Sequence, residues 1–253
     1  MIKFFRKIRY NLMETGKTAK YFKYAIGEII LVVIGILLAL QINTWNNNKQ
    51  EAKLEQQYIN RLITELKEDA IYYNKKSNQF AEISNAIFNV QQFWLNDNLI
   101  IEDSLKFWDD FRTASGSGPW YKQPVIWTQL VQSGELKLLK NQFLIESLFK
   151  HYAEVKSVAD NFNEYPTQTT NDARKVVANS LADSDYMLTP YNKRNRIPPK
   201  LWYEKIRLNK KEYQAVFLRE GIIAGLHISH MKTLATSAEE TVILLEKNLE
   251  TND

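Results

Sequence analysis

Residues 25–40 read AIGEIILVVIGILLAL, sixteen positions at which Glu28 is the one polar side chain. As a helix they rise about 24 Å, short of a bilayer's roughly 30 Å hydrocarbon core. Extension from Tyr24 to Asn43 closes the gap. Eleven of the sixteen are Leu, Ile or Val, each favouring insertion by roughly 0.3–0.6 kcal/mol. Their sum, about 3–7 kcal/mol, exceeds the roughly 3 kcal/mol that one carboxylate costs at the bilayer centre. Glu28 lies one turn in from the end, within reach of Lys20 or Lys23 at the inner surface, so its penalty is smaller still. Insertion is the expected outcome.

Two other readings of the stretch are weaker. A removable signal sequence needs small residues at −3 and −1 of its cut, and Ala39 places Leu37 at −3 while Thr44 places Ile42 there. A buried soluble helix should carry charge on both flanks, whereas here the cations lie on one side. Residues 1–23 hold Lys3, Arg6, Lys7, Arg9, Lys17, Lys20 and Lys23 against Glu14. Set aside from the chain's 33 basic and 29 acidic residues, these leave 26 basic against 28 acidic in the rest. The basicity thus belongs to the leader. Anionic lipid headgroups suit it as a partner, and a slightly acidic body argues against nucleic acid. Ile2, Phe5, Ile8 and Leu12 recur at helical spacing among those cations, as in a short helix lying on the inner leaflet.

The positive-inside rule keeps the N-terminus cytoplasmic and exports the C-terminal part. Tyr21, Phe22 and Tyr24 on one flank and Trp45 on the other are the interface aromatics. The domain reading is a cytoplasmic leader at 1–23, a transmembrane helix at 24–45 and an exported domain at 46–253. Gly35 and Ala39 form a small-xxx-small pair with Glu28 on nearly the same face, the pattern of a helix-dimer seam.

MIKFFRKIR followed by YAIGEIILVVIGILLALQINTWNNNK closely resembles the opening of a large Gram-negative bacterial family of single-span, membrane-anchored proteins of unknown function. The similarity extends to WTQLVQSGELKLLKN, a Ser-Gly-x-Leu-x-Leu-x-Lys-Asn run, and the FKHY after it. The resemblance implies an inner-membrane protein with a helical periplasmic domain. It brings no activity with it.

Beyond Asn46 the apolar pattern is helical. Ile59, Leu62, Leu66, Tyr73, Phe80, Ile83, Ile87, Val90 and Trp94 alternate by three and four, with Asp69 and Lys76 as interruptions, and Asn96-Asp97-Asn98 closes the run. Asn209 with Glu212 reads as an N-terminal cap for a last helix that carries Tyr213, Phe217, Glu220, Ala224, His227, Met231, Leu234, Ala238 and Leu245. Shorter helices are expected near 103–114, 125–133, 142–163 and 171–181, with Gly134 as a C-terminal cap. Loops are expected at 115–119 and, because of Pro190, Pro198 and Pro199, at 182–200. The fold class is all-α: a transmembrane helix, then an elongated antiparallel bundle with two long helices and shorter ones between them.

Cysteine is absent, which excludes disulfides, thiol catalysis, cysteine-held metals and a cysteine-linked lipid anchor. His227 and His230 form an H-x-x-H pair able to share a metal on one helix face. His227 also sits at a core position, so a hydrogen-bonded interior histidine is the favoured reading, and neither metal nor cofactor is assigned. Gly221 and Gly225 suggest close approach of another helix, or a kink beside a pocket. The loop aromatics and cations Trp120, Tyr121, Tyr191, Arg194, Arg196 and Trp202 are candidate ligand- or partner-binding residues; the same aromatics can instead tuck against the end of the bundle. No catalytic residues are assigned. The expected function is a non-enzymatic membrane-anchored module that binds an envelope protein or a second copy of itself. The alternative is an extracytoplasmic sensory domain acting through a membrane partner, and a hydrolase built on the histidines is a third reading.

Overall fold

A computed structural model describes residues 10, 18–95, 104–116, 120–163, 165–181 and 200–252. Every regular element among them is helical: α1 (Thr18–Leu95), α2 (Ser104–Thr113), α3 (Val125–Ser133), a 3-10 turn (Glu135–Leu138), α4 (Gln142–Asn163), α5 (Tyr165–Leu181), α6 (Lys200–Leu208) and α7 (Lys210–Asn252). The chain divides into two units, Met1–Gln57 and Tyr58–Asp253.

In the first unit, every residue from 29 to 54 is exposed, among them Ile29, Ile30, Leu31, Ile34, Ile36, Leu37, Leu38 and Leu40. Among the described residues this is the one helix long and apolar enough to cross a membrane. Apolar surface on this scale stays out of water only when something covers it. Trp45 is 65% exposed, with the Lys49 ammonium 5.6 Å from its ring centroid.

The second unit is built on the two apolar series anticipated from spacing. All nine positions from Ile59 to Trp94 and all nine from Tyr213 to Leu245 are buried. Their contacts pair Lys67 with Glu246, Ser77 with Ile228, Ile87 with Gly221 and Trp94 with Tyr213, so numbering falls along α7 as it rises along α1. α4 packs on α5, and both pack on α7. Two core clusters result. One is largely aliphatic, from Leu62, Leu66, Leu130, Leu148 and Leu245. The other is aromatic, from Trp94, Phe107, Trp108, Phe111, Trp202, Tyr213 and Phe217.

Three local expectations need correction. Trp202 lies on α6, not on a loop, because helix resumes at Lys200, directly after Pro199. α5 starts at Tyr165, earlier than 171, with Pro166 in its first turn, where a missing N–H is tolerated. Asn209 does not open α7 with a side-chain cap: its amide donates back to the Lys205 carbonyl at 3.1 Å, finishing α6, while the Glu212 N–H bonds the Asn209 carbonyl. Gly134 does close α3, in the left-handed region at φ 72°.

Candidate functional site

A polar constellation of the second unit joins one face of α1 to the segment 120–139. It begins at the turn after α2. Gly116 has φ +112°, and a Cβ there would lie 2.6 Å from Glu220 Oε1, so only glycine lets the turn rest on that buried carboxylate. Thr170 Oγ1 donates to Glu220 at 3.0 Å. Downstream, Tyr72 donates to the Trp120 carbonyl at 2.7 Å, and Lys122 Nζ reaches Asp69 Oδ1 at 2.8 Å.

Asp69 is 3% exposed. Burial raises its carboxyl pKa, opposed by the hydrogen bond and charge of Lys122. Burial also works against the Lys122 ammonium, but the Asp69 contact outweighs it and leaves that pKa raised.

One turn earlier, Glu65 caps a helix it does not belong to. Pro124 precedes α3 in an extended conformation with no side-chain cap. The Val125 and Ile126 N–H groups donate instead to Glu65 Oε2, each at 2.8 Å, which places a carboxylate at the positive end of α3. Tyr152 donates to the other Glu65 oxygen at 3.3 Å. At the far end of α3, Tyr58 donates to the Glu135 carboxylate, and Gln129 and Arg61 complete the set. These groups are engaged with one another, and the arrangement works as a clamp.

Replacing Lys122 with Met strands the Asp69 charge. Breaking a fully buried pair costs about 3–5 kcal/mol. Because the Lys122 side chain is 38% exposed, about 2 kcal/mol is expected by urea unfolding. The double variant Asp69→Asn/Lys122→Met should recover most of the loss, since no charge then remains to be stranded.

The residues singled out for binding fall in different places. Trp120 and Trp202 are core, 0% and 3% exposed, with Trp202 Nε1 donating to Ser180 Oγ at 3.0 Å. Tyr121 is 48% exposed, edge-on to Trp120. Tyr191, Arg194 and Arg196 lie outside the described residues, as do the side chains of Tyr21 and Tyr24.

Gly221 is in close contact, 3.4 Å from Ile87 Cγ2 to a built Cβ, as helix packing requires, whereas Gly225 faces open space. His227 is buried between Phe80 and Phe162, at ring distances of 4.9 and 4.6 Å. Its burial agrees with the interior position read from spacing, and its Nδ1 has no hydrogen-bond partner within the protein. No group of three or more His, Cys, Asp or Glu side chains placed to hold a metal occurs among the described residues.

The roles of the clamp carboxylates are not legible in the sequence, because their partners lie 53 to 87 residues away. The available signal was Asp69 itself, an acid inside an apolar series.

Residues 28–75 match the model of a family of unknown function, DUF6090. The match takes in residues 28–40 of the apolar stretch and the α1 half of the clamp: Tyr58, Arg61, Glu65, Asp69 and Tyr72. No curated protein and no solved structure matches the chain.

Proposed function

We propose that this chain is a single-pass protein of a Gram-negative inner membrane. Its N-terminus is cytoplasmic, and its antiparallel helical bundle stands in the periplasm as a non-catalytic binding or scaffold module. The observation that carries the reading is the exposed apolar run from Ile29 to Leu40. A bilayer covers it at no polar cost, because a helix satisfies its own backbone groups. The basic leader and the slightly acidic remainder give the direction of insertion. The bundle has its own two-part core and a clamp closed on itself, as suits a rigid body that meets a partner through its surface. Tyr121 is the exposed member of the candidate binding set.

Removing residues 1–46 tests the anchor and the module together. The remainder is expected in the soluble fraction, fully helical by circular dichroism, and to bind envelope fractions saturably. Retention in the membrane pellet would contradict the anchor, and absence of saturable binding would contradict the partner-binding role.

A further inference from the structure

His227 and His230 leave the same face of α7, three residues apart, and their ring centroids are 5.8 Å apart. Trp120, from the segment that α1 clamps, stands 6.4 Å from His227. His227 Nδ1, His230 Nδ1 and Trp120 Nε1 are all buried, and none has a hydrogen-bond partner within the protein. The walls are the apolar rings of Phe80 and Phe162. Buried polar atoms are almost always paired, and an orphan costs about 1–3 kcal/mol. His227 neighbours both His230 and Trp120, so one shared partner within reach of the three nitrogens would satisfy all of them.

The chemistry of the three atoms states what that partner must be. An indole nitrogen only donates, and a neutral imidazole protonated on Nε2 only accepts at Nδ1. With both imidazoles protonated on Nε2, the site offers one donor and two acceptors. Its complement accepts one hydrogen bond and donates two, which a single water does, and buried waters make about three such bonds.

A metal suits the set less well. It would satisfy the two imidazoles and leave the indole N–H unpaired, and no third His, Cys, Asp or Glu joins the pair among the described residues. His230 is half-buried where His227 is buried.

We propose that Trp120, His227 and His230 form a binding site for one water-sized hydroxylic molecule, resident water, which joins the 120–124 segment to α7. Both imidazoles are held as Nε2–H tautomers by it.

The full chain, labelled with 15N in detergent micelles, tests this by NMR. The expected spectrum shows both rings as Nε2–H tautomers with a hydrogen-bonded Nδ1. It also shows a cross-relaxation peak between the Trp120 indole proton and a long-lived water, the indole being assigned by its loss in Trp120→Phe. His227→Phe keeps an aromatic ring in the core and is expected to abolish the water peak while the helical signal stays unchanged. An Nδ1–H tautomer in either ring would overturn the proposal, as would an indole proton with no water contact. So would a water contact that persists in His227→Phe. Addition of Zn2+ or Ag+ is expected to leave the Nδ1 shifts in place; movement of both with loss of the water peak would reassign the pair to a metal.

Discussion

Phe111→Ala is expected to destabilise the bundle by about 3–5 kcal/mol, the range for deleting a fully buried aromatic ring. Phe111 is 0% exposed and stands at the centre of the aromatic cluster. Its ring meets Trp202 at 5.0 Å, Phe217 at 5.2 Å and Tyr213 at 5.7 Å, all three near edge-to-face. It thus joins α2 to α6 and α7 through one side chain. Edge-to-face pairs contribute roughly 0.5–1.5 kcal/mol beyond area, so the loss should sit near the top of the range. Phe111→Leu, which keeps most of the volume, should cost much less. Chemical unfolding of both variants measures the difference, and equal losses would contradict the expectation, because the volume that leucine keeps would then contribute nothing.

Acid should loosen the bundle by a comparable amount through two histidines. His151 is 1% exposed and His227 4%. Burial pushes each pKa down to about 4, with the neighbouring His230 adding to the effect at His227. An unfolded histidine titrates near 6.5. Between those values the unfolded chain binds protons that the folded chain refuses, so stability is full above pH 6.5 and falls as pH drops toward 4. At pH 4.5 each histidine should account for about 2 kcal/mol of loss. Asp69, whose carboxyl is raised by burial, works in the opposite direction. Unfolding curves at pH 7 and 4.5 give the total, and the pH 4.5 loss should shrink in His151→Gln and in His227→Gln. A slope unchanged by both substitutions would assign the acid sensitivity to other groups.

Helix positions were legible wherever one side chain per turn faced a core. Ile59 through Trp94 and Tyr213 through Leu245 needed only their spacing, because burial on a helix repeats with the helix itself. Glu220 and His227 were placed correctly by that rule, yet what they touch was not legible. Their neighbours are Thr170 and Gly116 in one case, and Phe80, Phe162 and Trp120 in the other, and they come from distant segments.

The clamp shows the same limit. Glu65 and Asp69 are one turn apart on α1, a spacing that on its own suggests a solvated stripe. Only the folded chain brings Pro124's uncapped helix and Lys122 onto them. Trp202 falls on a helix and not on the proline-rich loop, because helix starts at Lys200, straight after the last proline.

The absence of cysteine makes it possible to measure directly which side of a membrane the bundle occupies. Single cysteines at Thr15 and, separately, at Asn47 are exposed to a membrane-impermeant maleimide in cells whose outer membrane alone has been opened. The account predicts labelling at position 47 and none at 15 until the inner membrane is also permeabilised. Labelling at 15 but not at 47 would put the helical body in the cytoplasm and contradict the account.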